Sequence, residues 1–242
     1  MYTELADWFH LLTAPEEYAE EADFYVRVLK EAAGALPSTL LELGSGGGNN
    51  AWHYKRHIAA VTLTDLSPRM LALSQSMNPE CQHIEGDMRT LRLGRLFDAV
   101  FVHDAVGYLT TEDDLRRGMA TAFAHCRPGG VALFAPDHVR ETFEPTTEHG
   151  GHDGQGRALR YLEWTSDADP TDSIYQVDYA YLLHEDGKPV RAAYDQHVCG
   201  LFARTDWLRL LKEVGFHASV RPFEHSEVPT RTLEVFLGVK PE

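Results

Sequence analysis

Thr39-Leu40-Leu41-Glu42-Leu43-Gly44-Ser45-Gly46-Gly47-Gly48 is an apolar run that breaks into a cluster of glycines. Five residues of this kind before a glycine stop read as a strand buried on both faces. Glycines placed between such a strand and a helix let the chain turn tightly and bring its backbone close to a ligand. The dinucleotide fingerprint G-x-G-x-x-G/A would put its third small residue at position 49, where this chain has Asn49. The phosphate loop is also excluded, because no Gly-Lys-Ser/Thr follows. What remains is an acid two residues before the first glycine, and glycines at alternate positions.

Outward from this turn, strands and helices alternate. A helix over about Asn50–Ile58 leads to a strand Ala60–Thr64 closed by Asp65; Ser67-Pro68 then caps and opens a helix running to about Met77. His83–Glu85 and Phe97–Val102 are further strands, and a helix over about Thr111–Cys126 precedes the turn Pro128-Gly129-Gly130 and a strand Val131–Ala135. Such alternation predicts βαβ crossovers and an α/β, Rossmann-like sheet of seven mainly parallel strands with helices on both faces. Before it, apolar residues at three- and four-residue steps from Tyr2 to Leu36 predict two amphipathic helices, broken at Pro15. After it, Arg140–Arg157 reads as a polar mobile loop. Arg160–Trp164, Ile174–Leu183 and Ala192–Cys199 follow in the two-residue rhythm of antiparallel strands. Thr205 is read as the cap of a helix Asp206–Val214, and two strands, Ala218–Phe223 and Leu233–Val239, close the chain. The division expected is an N-terminal helical lid (1–36), a core (37–138 and 201–242) and an inserted antiparallel sheet over the active site (139–200).

The chain's 242 residues, 43% hydrophobic, suffice for one sizeable core. Twenty-two Lys+Arg against 37 Asp+Glu leave a formal charge of −15, which repels phosphate backbones and anionic lipid. No nucleic-acid or membrane partner is therefore expected. Cys81, Cys126 and Cys199, odd in number and widely spaced, read as free thiols of a reducing compartment. With no basic-then-apolar start and no apolar run of roughly 20 residues, the expected location is cytoplasmic.

Glu42-x-Gly44-x-Gly46-x-Gly48, Asp65 after the second strand, and Gly86-Asp87-Met88 together resemble the class I S-adenosylmethionine-dependent methyltransferases over roughly residues 38–136. The resemblance implies S-adenosylmethionine as cofactor and S-adenosylhomocysteine as product, with no metal. It lays Gly44, Gly46 and Gly48 against the methionine and ribose part and turns Glu42 to the methionyl end. It gives the ribose hydroxyls to Asp65, with Leu66 beside it, and the adenine to Asp87 and Met88; Tyr18 and His103 complete the cofactor set. Within the family, Gly86–Arg89, Phe97-x-Ala99-Val100, Tyr18-x-x-Glu21 and the inserted sheet are similar to small bacterial N-methyltransferases of amino sugars and related natural products. Gly107-Tyr108 and Ala135-Pro136-Asp137-His138 depart from that group's pattern.

Methyl transfer from a sulfonium is an in-line displacement in which alignment supplies most of the acceleration. A base is needed only for a protonated nucleophile. Candidate catalytic residues at the strand ends are His103, Tyr108 and His138. His103 is either a general base or a hydrogen-bonding part of the wall. Asp104 and Asp137 either hold a substrate ammonium or cap helices. Trp8, Phe9 and Tyr18 either close over the sulfonium or pack the helices, and Tyr161 is placed on the substrate side. His149, His152 and Asp153 suggest a metal cluster, but the glycines between them favour a flexible loop. The expected activity is methyl transfer to an amine or hydroxyl of a small molecule by a monomer or homodimer. A nicotinamide-dependent oxidoreductase and a non-catalytic cofactor-binding domain are the alternatives.

Overall fold

In the computed structural model, which describes residues 1–227 and 233–242, the chain begins with two 3-10 turns around the single helical turn α1 (Phe9–Leu12), and only then forms a full helix, α2 (Ala19–Ala33). The first of the two predicted amphipathic helices is thus reduced to about one turn. Pro15 ends it, because proline cannot continue the helical hydrogen-bond ladder. The alternating core follows as β1 (Thr39–Leu43), α3 (Asn49–Tyr54), β2 (Ala60–Asp65), α4 (Pro68–Met77), β3 (Gln82–Glu85), β4 (Phe97–Val102), α5 (Glu112–His125) and β5 (Cys126–Phe134). A second set of strands comes next: β6 (Thr146–Gly150), β7 (Asp153–Gly154), β8 (Arg157–Ser166), β9 (Ile174–Glu185) and β10 (Arg191–Gly200). The chain ends with α6 (Arg204–Val214), β11 (His217–Pro222) and β12 (Glu234–Val239).

The first sheet has the order β11-β12-β5-β4-β1-β2-β3, parallel except where β12 runs against β5 and β11. β1 lies in its middle, with Leu40, Leu41 and Leu43 all but inaccessible to solvent. One face packs on α2 and α3 through Phe24, Tyr25, Val28, Leu29 and Tyr54; the other packs on α5 and α6 through Leu115, Met119, Trp207 and Leu210. Because β1 pairs with β2 on one side and β4 on the other, the chain order reverses between β1 and β4. The crevice outside the carboxyl ends of strands at such a reversal is where open α/β sheets take their ligands.

β6 to β10 form a second, five-stranded antiparallel sheet. The stretch Arg140–Arg157, read from the sequence as a mobile loop, therefore holds two strands. All but one residue of β6 is exposed, so it has no hydrophobic alternation to announce it, and its order comes from main-chain pairing with β8 and from the bond of His152 N to Leu11 O. The α6 cap also differs from the expectation. Thr205 lies inside the first turn, and the Glu141 carboxylate accepts from Arg204 N instead, at 2.9 and 3.0 Å.

Candidate active site

A cavity of about 1030 Å³ opens where β1 to β4 end, walled by the N-terminal segment and the second sheet. A pocket for one drug-sized ligand spans about 300–1,000 Å³, so this one has room for a cofactor and an acceptor together. The glycine turn forms its floor. Gly44 N and Ser45 N both donate to Thr64 O at 2.8 Å, folding the turn across the end of β2. Gly44 has φ +76°, and a Cβ there would overlap that of Ala105 and lie 2.9 Å from Met88 Cε. A left-handed conformation costs a residue with a side chain about 1–2 kcal/mol, and repacking adds to it. Gly44→Ala is expected to lower stability by about 2 kcal/mol and to weaken cofactor binding, read by thermal melts with and without S-adenosylhomocysteine.

Asp65 ends β2 with its carboxylate fixed on both sides, accepting from Gly46 N and from Ser67 N, each at 2.8 Å. Burial raises its carboxyl above the usual range, while these main-chain donors pull it back. One oxygen thus holds the glycine loop and the other the start of α4, with lone pairs left toward the cavity. Glu42, 2% exposed, accepts from the Tyr54 hydroxyl and also lines the cavity. Burial pushes its carboxyl up to about 7, against the pull of Tyr54 and of the nearby His103. A carboxyl raised on folding contributes stability below its unfolded value that is lost as pH rises through the folded one. Wild-type protein is therefore expected to lose about 2 kcal/mol between pH 5 and about 8 that Glu42→Gln retains. Melting the two proteins across that range checks it.

On the far wall, Asp87 is bound two-pronged by Arg89, which also reaches Asp114 at 3.4 Å; the Arg89 hydrogen bond holds the Asp87 carboxyl below its ordinary value. Met88 lies beside it, and Leu66, two-thirds exposed, lines the same cavity.

His103 follows β4 and gathers polar groups from four elements. Its Nε2 is 3.0 Å from Asp104 and 3.4 Å from Glu21, and its Nδ1 is 3.4 Å from Asn50. The rings of Tyr18 and Tyr25 meet it edge-on. A smaller cavity of about 130 Å³, lined by Glu21, Asp104 and Asp137, adjoins on its other side. Burial raises the carboxyls of both Asp104 and Asp137; the Glu21 charge adds to the first and the Asp104 charge to the second. Both line the smaller cavity, where each carboxylate disfavours ionisation of the other.

The second sheet closes the other end. Tyr161, Glu163 and Tyr179 line the main cavity. The Tyr108 hydroxyl bridges the Tyr2 hydroxyl at 3.0 Å and His197 Nδ1 at 2.7 Å. Burial lowers His197 to about 4, and with the Tyr108 proton given to Tyr2, the Nδ1–H tautomer of the neutral ring donates to the Tyr108 oxygen. His149 and His152 stand at the same wall, with His152 paired to Glu17 at 3.3 Å. Among the described residues no group of three His, Cys, Asp or Glu is placed to hold a metal ion.

Of the residues singled out from the sequence, Glu42, Gly44, Gly46, Asp65, Leu66, Asp87, Met88, Tyr18, Phe9, His103, Asp104, Tyr108 and Tyr161 line the main cavity. Four do not. Trp8 packs under the second sheet against Leu159 and Tyr181, with the Arg157 guanidinium 3.8 Å from its ring centre. Gly48 starts α3 at φ +81°, where a Cβ would collide with Ser74 and Asn78, so its place is set by packing. His138 sits between Phe143 and Tyr175, and burial lowers its pKa. Asp137 reaches only the smaller cavity. Sequence reasoning gave no role to Glu21, Asn50, Tyr2 or His197. Glu21 carried a signal, since Tyr18 and Glu21 three residues apart at the start of a helix share a face. Tyr2 and His197 carried none, being 195 positions apart in the chain.

Known proteins share this architecture. Residues 40–130 match the family described as a methyltransferase domain. A dTDP-3-amino-3,4,6-trideoxy-α-D-glucopyranose N,N-dimethyltransferase of Streptomyces venezuelae is 28% identical over 239 residues, covering 98% of this chain and 97% of the relative. A dTDP-3-amino-3,6-dideoxy-α-D-glucopyranose N,N-dimethyltransferase of Streptomyces fradiae is 26% identical, over 90% of this chain and 85% of its own. Among solved structures, Streptomyces venezuelae DesVI superposes with a TM-score of 0.83 at 25% identity, over 99% and 98% of the two chains. A sugar N-methyltransferase of Streptoalloteichus reaches the same score and identity, over 99% and 94%. These findings indicate that the chain is an S-adenosylmethionine-dependent methyltransferase and support a place among the class I enzymes. Its likeness runs to the amino-sugar N-methyltransferases, and neither the oxidoreductase nor the non-catalytic reading has support among these relatives.

Proposed function

We propose that this methyltransferase methylates the amine of an amino sugar, a small molecule held between the N-terminal segment (1–36), the core and the inserted sheet (139–200). The observation that carries the reading is the group around His103: a histidine at the end of β4, faced by Glu21, Asp104 and Asn50, at the meeting of two cavities and beside the glycine turn. An amine reaches the enzyme mostly as its ammonium and must lose a proton before its lone pair can attack. Carboxylates at this point attract the cation, and His103 takes the proton. A neutral hydroxyl acceptor would gain a hydrogen bond to Glu21 or Asp104 but no ion pair. The end-to-end likeness to enzymes named as amino-sugar N,N-dimethyltransferases supports the same acceptor.

The cofactor fits the residues present. Gly44, where a Cβ would collide with Ala105, and Gly46, at φ +52°, turn bare backbone across the cavity floor, and Asp65 is fixed with acceptor capacity toward the cavity. Asp65 would hold the ribose hydroxyls, Glu42 the methionyl end, and Asp87 and Met88 the adenine. Bound S-adenosylmethionine supplies an electrophilic methyl group on a sulfonium. Phe9, which lies on the glycine loop close enough that a Cβ on Gly47 would be 2.6 Å from its ring, and Tyr18 exclude water from that methyl. The three cysteines, all free and buried, are in keeping with the cytoplasm.

The test is product analysis by mass spectrometry after incubation with S-adenosylmethionine and two matched sugar sets, one with an amino group and one with a hydroxyl at the same carbon. Methylation confined to nitrogen is expected. Methylation of the hydroxyl set alone would overturn the reading.

A further inference from the structure

The inner face of the second sheet carries a carboxylate that no step above uses. Glu163 of β8 lines the main cavity together with Tyr161 and Tyr179. In register it stands opposite Glu148 of the edge strand β6 on one side and opposite Tyr179 of β9 on the other. Like charges directly opposite on a sheet repel, and the charges that bear on Glu163 are those of Glu148 and Asp137, both negative. Burial disfavours its ionised form, but the Tyr179 hydroxyl and the Thr165 hydroxyl, the latter at 3.4 Å, donate to it and favour the carboxylate. The rest of the cavity has the same sign. Six of its lining residues are acidic: Glu17, Glu42, Asp65, Asp87, Asp104 and Glu163. Among the described residues it has one guanidinium, that of Arg89, which Asp87 and Asp114 take up. Tyr2, Tyr108, Tyr161 and Tyr179 complete the wall on this side, offering apolar ring faces and hydroxyl tips.

We infer that the acceptor is an amino sugar with at least two amino groups and no phosphate, and that Glu163 selects it by binding the second ammonium between itself and Glu148. This rests on the amine reading above: one amine meets Glu21 and Asp104 beside His103, and the second lies against the sheet. Charge decides between a hydroxyl and an ammonium at that place. A hydroxyl donates to one carboxylate and leaves the repulsion between Glu148 and Glu163 as it was. An ammonium has three donors and a positive charge, so it bonds both carboxylates and offsets their repulsion. Glu148 is exposed and Glu163 faces the cavity, so the pair spans the mouth of the pocket at the sheet. A phosphate or diphosphate on the acceptor would enter a wall of its own sign, where the cavity's guanidinium is already bound. The tyrosine faces suit the C–H faces of a sugar ring and their hydroxyls its oxygens. A site built to bond a particular polar group discriminates strongly against an analogue that lacks it, because its own groups are then left unpaired.

Steady-state kinetics on the full chain with three matched acceptors test this: an amino sugar with one amino group, the same sugar with a second, and the first sugar linked to a nucleoside diphosphate. Wild-type protein is expected to favour the diamino sugar over the monoamino one by about tenfold or more in kcat/KM, and to use the nucleotide-linked sugar least. Glu163→Gln should raise KM for the diamino sugar and bring that ratio close to one, and Glu148→Gln, at the exposed end, should lower it part of the way. Wild-type affinity for S-adenosylhomocysteine in both variants checks that they fold. Calorimetric binding of the diamino sugar to the S-adenosylhomocysteine complex makes the same comparison without turnover. A chain that binds this sugar through Glu163 yet methylates no amine would fault the proposed reaction and uphold this site. A wild-type chain that prefers the nucleotide-linked sugar, or a folded Glu163→Gln variant that keeps the full preference for the diamino sugar, would overturn the inference.

Discussion

Replacement of His103 by alanine is expected to cut kcat by about 10²- to 10⁴-fold, the usual worth of a positioned general base. The dissociation constant for S-adenosylmethionine should stay near that of wild type, since the cavity keeps Asp65, Glu42 and the glycine turn. His103 has four polar or aromatic neighbours that fix its ring, so the loss belongs to proton transfer rather than to a collapsed wall. Activity of the variant should recover as pH rises and the acceptor amine deprotonates in solution. A variant with wild-type kcat across the pH range would leave alignment alone as the source of catalysis.

Asp65→Ala is expected to weaken cofactor binding by about 2 to 4 kcal/mol, roughly 30- to 1000-fold, while the fold survives. Two effects add. The ribose hydroxyls lose a charged acceptor, and Gly46 N and Ser67 N lose the carboxylate that ties the glycine loop to the start of α4. Asp65→Asn separates them, because the amide oxygen can keep one main-chain bond without the charge. An affinity between those of wild type and Asp65→Ala is expected for it by calorimetry, and unchanged affinity in Asp65→Ala would remove this carboxylate from the site.

These two residues also differ in how legible they were. The Asp65 position follows from local rules: an apolar run, a glycine turn and an acid closing the next strand are each written within a few residues, and burial of β1 and β2 makes the pattern strong. Seven mainly parallel strands emerge from the same local alternation, whereas their order, with β1 between β2 and β4, comes from long-range pairing. The environment of His103 is not local. Glu21 and Asn50 reach it from α2 and α3, 82 and 53 positions away in the chain, so only the packed helices reveal this polar cluster. Trp8 and His138 show the converse error. Both are residue types suited to an active site, placed near one in the chain, yet Arg157 and Leu159 claim the first and Phe143 and Tyr175 the second. β6 went unread because a strand exposed along nearly its whole length leaves no hydrophobic rhythm.

Calorimetric titration of the purified chain with S-adenosylmethionine and S-adenosylhomocysteine, with NADH and NADPH as controls, tests the assignment of the cavity most directly. Micromolar binding of the first two, with none of the nicotinamides, is the expected result. Binding of NADH or NADPH with no response to either adenosyl compound would contradict it.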